Sequence, residues 1–167
     1  MSSTILDSGN RRQFDSGAVR DIVEGKGRCD LLPLFEVSEL IRKTNPTCAD
    51  ILQLIYIYTK TGASKYIINA IQTFSTHIGY DVYTCTLEVA KHYEQGCNKY
   101  GERNWEKGIP LHCYIDSGIR HLLKYFRGDS DEPHDRAFVW NMFGAIWTQV
   151  HYPELVDLPY LTNTTSN

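Results

Sequence analysis

"LHCYIDSGIRHLLKYFRGDSDEPHDRAFVWNMFGAIWTQVH", residues 111–151, is the stretch whose reading decides the fold. Its first half carries Ile115, Ile119, Leu122, Leu123 and Phe126 at spacings that share one side of a helix, and Gly128 closes it. Its second half is a longer, almost wholly apolar helix, "AFVWNMFGAIW". Asp131 is placed to cap that helix, and Pro133 falls in its first turn, where a missing N–H costs nothing.

Working outward, a fourth helix is predicted from about residue 84 through Tyr100, stopped by Gly101, with "GERNWEKGIP" as the loop after it. Upstream, "LFEVSELIRK" has a helical stripe of Leu34, Phe35, Val37, Leu40 and Ile41. "NPTCADILQLIYIYTKTG" is a second helix with Thr47 as N-cap and Gly62 at its end, and "ASKYIINAIQTFSTHIG" is a third, ending at Gly79. "SGAVRDIVEGKGRCDLLP", residues 16–33, has neither helical nor strand period and reads as an ordered loop. No segment reads as a sheet. The expected fold is all-α, a compact bundle of about six helices with an ordered N-terminal loop. Residues 1–15 are expected to be flexible, 16–152 to form one domain, and 153–167 to be a tail.

The bulk numbers exclude several classes. A chain of 167 residues is long enough to form one domain with a sizeable core. A net charge of −3 gives no basic footprint for duplex nucleic acid. No apolar run approaches the ~18 residues of a membrane span, and "MSSTILDSGNRRQF" lacks a signal-peptide core. Cys29, Cys48, Cys85, Cys97 and Cys113 are odd in number and widely spaced, which suits reduced thiols in a cytoplasm.

Polar residues interrupt the three C-terminal helices where a core helix should be quiet. Lys91, Glu94 and Asn98 share a face of the fourth; Asp116 and Arg120 are four apart on the fifth, with Ser117 and His121 on the adjacent strip. On the sixth, His134 and Asn141 lie above one another, and Asn141 sits inside an apolar run, where an unsatisfied amide costs about 1–3 kcal/mol. Each has a bland reading as an ion pair, a packing histidine or a structural amide. Together, on consecutive helices, they outline a site. Glu94, Asp116 and His121 are the candidate catalytic residues. Glu94 and Asp116 are the expected ligands of Mg²⁺ (or Mn²⁺), which favours carboxylate oxygens, retained waters and substrate phosphates. The loop adds Lys99 and Arg103 for phosphate, Tyr100 and Trp105 for stacking, and Asn104 for hydrogen bonding; Arg120, His134 and Asn141 complete the nucleotide-binding set. "EGKGRCD" is not a P-loop, because its spacing and following helix are wrong, yet Lys26 and Arg28 there could reach phosphates.

"SGAVRD", "GKGRCDLLP", "HYEQGCNKYGERNWEKGIP" (92–110) and "DSGIRHLLKYFRGDSDEPHDRAFVWN" resemble, in this order, the phage and bacterial dATP/dGTP diphosphohydrolase N-terminal-type family, over residues 12–36 and 86–149. Against shorter members of that family, residues 45–85 look like a helical insertion. The resemblance implies a link to the all-α, MazG-like nucleoside triphosphate pyrophosphohydrolases, which use Mg²⁺ to release a nucleoside monophosphate and pyrophosphate. Those enzymes carry E-x-x-E and E-x-x-D metal motifs. Here Lys91 stands three before Glu94 and Ile119 three after Asp116, so half of each motif is missing. Either His121, His134 and Asp131 replace the lost acids, or the domain binds nucleotides without cutting them. A similarity of His121 and His134–Asp135 to the metal histidines of HD-domain phosphohydrolases is weaker, since only His92 offers the required upstream histidine.

Two functions are consistent with this pattern. One is a phage enzyme that hydrolyses (deoxy)nucleoside triphosphates and reshapes the nucleotide pool. The other is a sponge that sequesters a signalling nucleotide of bacterial antiphage defence, needing no cofactor. Both imply a small-molecule nucleotide partner, a homo-oligomer and the host cytoplasm, with no duplex nucleic acid and no membrane.

Overall fold

Helix boundaries obey the local chemistry of their ends, in a computed structural model that describes residues 4–158. The first two helices are α1, Leu34–Arg42, and α2, Pro46–Thr61. At the start of α2 the cap is Asn45, whose side chain accepts from the Cys48 N–H at 3.0 Å, and not Thr47. The reason is Pro46. The residue before a proline is driven out of the helical region, so Asn45 is extended while Pro46 takes the first helical position. Gly62 ends α2 in the left-handed conformation at φ 68°, which costs a glycine nothing.

Next come α3, Ser64–His77, and α4, Val82–Tyr100, the latter capped by Asp81, which accepts from the Thr84 N–H at 2.7 Å. The last pair is α5, Leu111–Arg127, and α6, His134–His151. Asp131 does not cap α6: Pro133 occupies the cap position with no side-chain bond, and Asp131 turns instead to the His134 ring. Single 3₁₀ turns at Cys29–Leu31, Asn104–Lys107 and Pro153–Leu155 complete the helical content. The "GERNWEKGIP" loop is therefore partly ordered as helix. The all-α class holds.

The segment expected to lack strands contains one small antiparallel hairpin, β1 Arg11–Gln13 and β2 Val19–Asp21, with Arg12 opposite Arg20. Three-residue strands are too short to show a period, and four of their six residues are charged. The turn is closed by Phe14 N–H to Ala18 O at 2.9 Å, with Gly17 at φ 89°. A distant residue fixes the hairpin. The Asn104 amide donates to Val19 O and accepts from Val19 N–H, both at 2.8 Å. Residues 1–15, expected to be flexible, thus include β1; "TNTTSN" lies outside the described residues.

α1, α2 and α3 pack in sequence, while α5 and α6 form the most extensive helix pair. Glycine permits that closeness. A Cβ on Gly144 would lie 2.1 Å from the Tyr114 ring, and one on Gly118 2.5 Å from Met142 Cε. Phe74 of α3 meets Tyr125 of α5 and Phe138 of α6 edge-on, at 5.0 and 4.9 Å between ring centres, and locks the first three helices to the last pair. Among the described residues no helix is long and apolar enough to cross a membrane.

Candidate functional site

A polar-lined pocket opens between the hairpin, the end of α4, the loop after it, and α5 with α6. Its most unusual group is Arg20. The guanidinium donates to Asn141 Oδ1 at 3.3 Å and Cys113 O at 3.4 Å, and lies over the rings of Trp140 (5.4 Å) and Tyr114 (5.6 Å). These partners are neutral. Burial lowers its pKa, yet an arginine stays charged at any ordinary pH. Asn141, the amide inside the apolar helix, is satisfied on both sides: its NH₂ donates to Ala137 O at 2.7 Å and its oxygen steers Arg20.

More cations surround it. Lys99, with a side chain only 8% exposed, donates to Leu6 O and lies 3.8 Å from Asp21, which Lys26 approaches to the same distance. The Asp21 N–H donates to the Tyr100 hydroxyl at 3.1 Å. On the opposite side Arg120 donates to Gly27 O at 2.7 Å and to Asp116 at 2.6 Å, while its buried Nε has no partner. Lys124 and Arg103 also line the pocket. Against these stand two carboxylates in the lining, Asp21 and Glu132. The potential is positive, suited to an anion of several charges. Tyr93, Trp105 and Trp140 supply an aromatic wall, with Trp105 edge-on to Tyr93 at 5.5 Å and to Trp147 at 4.9 Å. His92, buried beside Trp140, is held neutral: burial first, then the cations Arg20, Arg136 and Lys99, bring its pKa down to about 4. Its Nδ1 has no partner, an open polar position in the wall.

At the α5–α6 end, His121 Nδ1 and His134 Nδ1 face one another at 2.9 Å. The far nitrogen of His134 donates to Asp131 at 2.7 Å. Glu132 Oε1 lies 3.7 Å from the first imidazole and 3.8 Å from the second, and its other oxygen accepts from Leu6 N–H at 3.2 Å. Burial and the neighbouring His134 drive the His121 pKa well below its usual value, so that ring is neutral.

The expected site residues separate into groups. Lys26, Lys99, Tyr100, Arg103, Asn104, Trp105, Arg120, His121 and Asn141 line one pocket, and His134 lies directly behind His121. Asn104 spends its amide on Val19 and so shapes the wall instead of offering hydrogen bonds to a ligand. Arg28 is paired with Asp30 at 2.7 Å and stays outside the lining. Glu94 is exposed on α4 and also outside it; Asp116, on α5, is buried and outside the lining, accepting from the Cys29 N–H at 2.7 Å and from Arg120. The spacing that puts Lys91, Glu94 and Asn98 on one face is sound, but that face looks away. Sequence reasoning missed Arg20, Asp21, Lys124 and Glu132. A signal existed for Arg20 alone, as an arginine between two strand residues in a conspicuous "SGAVRD".

Residues 59–158 match the family described as dATP/dGTP diphosphohydrolase, N-terminal, and the chain belongs to that family. The matched span begins inside the 45–85 segment, includes "HYEQGCNKYGERNWEKGIP" and both last helices, and leaves out residues 12–36. No curated protein and no solved structure matches the chain.

Proposed function

We propose that the protein hydrolyses a purine deoxynucleoside triphosphate to the monophosphate and pyrophosphate. The observation that carries this reading is Arg20, a half-buried cation with neutral partners, on the aromatic floor of a pocket rich in lysine and arginine. Phosphates would lie along Arg20, Lys99 and Arg120, whose charge offsets that developing on the oxygens as the bond between the α-phosphorus and its bridging oxygen breaks. The base would rest against Trp140, Tyr93 or Trp105. The family description supports the substrate class.

Of the expected catalytic residues, His121 is the one in the pocket lining, where burial and the neighbouring His134 keep its ring neutral. A Mg²⁺ held by oxygens alone does not fit the residues gathered there. Glu94 and Asp116 are absent from the lining, and Asp21 is shared between Lys26 and Lys99. No step is assigned to that ion.

The test is incubation with dATP, dGTP, the other deoxynucleotides and cyclic signalling nucleotides, with and without divalent cations. Products are separated by chromatography before and after heat denaturation. Monophosphate and pyrophosphate from dATP or dGTP, lost in His121→Gln, is the expected result. Recovery of an intact nucleotide only after heating would replace hydrolysis by sequestration. That second reading is favoured by the exposure of Glu94, which leaves the pocket without paired acids.

A further inference from the structure

We propose that His121, His134 and Glu132 bind one first-row transition-metal ion of the zinc class, at the end of the pocket between α5 and α6. The argument is geometric. The three facing atoms, His121 Nδ1, His134 Nδ1 and Glu132 Oε1, form a triangle with sides of 2.9, 3.7 and 3.8 Å. A point in its plane equidistant from all three lies about 2.0 Å from each, which is the bond length of Zn²⁺ to imidazole nitrogen and carboxylate oxygen.

Independent features point the same way. Behind the His134 imidazole stands Asp131, accepting its Nε2–H at 2.7 Å. That bond fixes the tautomer in which Nδ1 carries the lone pair, as metal-bound histidines require. Glu132 is oriented likewise, since its second oxygen accepts the Leu6 N–H and Oε1 remains for the ion. His134 is 2% exposed, so its lone pair has no access to bulk water. Two imidazoles and one carboxylate select zinc, manganese or iron over Mg²⁺, which prefers oxygen. The set differs from an HD pair, because its carboxylate is Glu132, before His134, and Asp135 takes no part. His121 and Glu132 both line the pocket, so the ion's open positions would face the phosphates.

The site stands apart from the hydrolase reading, because it is measured without nucleotide. Full-length protein stripped with chelator is titrated calorimetrically with Zn²⁺, bound metal is counted by mass spectrometry, and Co²⁺ substitution is followed by its visible absorption. One ion per chain is expected, with a tetrahedral Co²⁺ spectrum and no displacement by equimolar Mg²⁺. Glu132→Gln and His121→Gln should each abolish stoichiometric binding. Asp131→Asn, acting through His134, should weaken it ~10–100-fold with the spectrum kept. Substoichiometric metal in the parent protein would overturn the proposal. So would binding that survives Glu132→Gln and His121→Gln, or that is lost in Asp129→Asn, which belongs to the neighbouring Asp129–Asp131–His134 group. Circular dichroism of each variant separates loss of ligand from loss of fold. Failure here would leave nucleotide binding untouched, and a nucleotide bound but uncut would leave the metal site standing.

Discussion

The first three helices and the last three bury polar groups in different ways. In α1–α3 the buried hydroxyls of Ser38 and Thr59 bond to carbonyls one turn back, Phe35 O at 2.6 Å and Tyr56 O at 2.7 Å. Where hydroxyls of this half reach further, as Ser38 accepting from Gln53 of α2 at 3.0 Å or Tyr58 donating to Gln149 of α6 at 2.9 Å, both partners are neutral. In α4–α6 the buried polar groups reach across elements: Asp116 to the Cys29 backbone, Asn141 to Arg20, His134 to His121. A core needs none of these long reaches, and each requires partners at fixed positions because an orphaned group costs about 1–3 kcal/mol. The first half supplies stability. The second spends some of it on placing charge.

That contrast can be broken by mutation. The largest effect is expected in the first half, where Phe74→Ala removes the ring joining α3 to Tyr125 and Phe138. It should cost about 3–5 kcal/mol in urea denaturation and leave nucleotide affinity unchanged in the molecules that remain folded. Altered affinity would mean the halves are not separable. Arg20→Met should do the reverse. Nucleotide affinity falls ~30–100-fold by calorimetry, while stability stays within about 1 kcal/mol because a desolvated cation is removed along with its bonds. A large loss of stability would make Arg20 a structural group.

Gly144→Ala sharpens the comparison, since the added methyl meets the Tyr114 ring that lies under Arg20. A destabilisation of about 1–3 kcal/mol is expected from thermal melts, together with a several-fold loss of affinity. The smallest effect lies away from the pocket, at His112, whose ring bonds to Asp157. That bond, with a lesser one from Cys113, raises the imidazole from 6.5 to about 10. The folded state therefore holds the proton more tightly than the unfolded chain. Its contribution is full below about pH 6.5 and is lost as pH rises through 10. Asp157→Asn should lower the melting temperature modestly at pH 6, by the equivalent of ~1 kcal/mol or less for so exposed a pair, and not at all above pH 10. A deficit independent of pH would assign Asp157 a packing role.

The helices are legible because their signals are local. Five apolar residues on one side of α5, a glycine past its end, and Asn45 before Pro46 all act within one or two turns. Reading Thr47 as the cap misses by two residues because it neglects the effect of Pro46 on its predecessor. The hairpin is illegible for a different reason: what holds Val19 is Asn104, 85 residues away, and no period records such a bond. The same distinction governs the site. His121, Arg120 and Asn141 can be found because polar residues in apolar helices are conspicuous. Glu94 is misplaced with respect to the pocket because spacing says which residues share a face, never which way that face turns. Glu132 escapes notice because an acid in "DSDEPHD" looks like part of a solvated turn.

Asn104 has one more consequence, which concerns inheritance. Residues 59–158, which identify the family, contain His121, Glu132 and His134, while Arg20, Asp21 and Lys26 come from chain outside that span. Asn104 is the clasp by which the span that identifies the family holds a segment outside that span. A relative with the clasp but a different segment after "SGA" would keep the residues of α5 and α6 and change the cations that the hairpin and its following loop bring to the pocket. On the proposed reading, selectivity would then be an attachment, open to change by swapping one short segment while the bundle stays as it is.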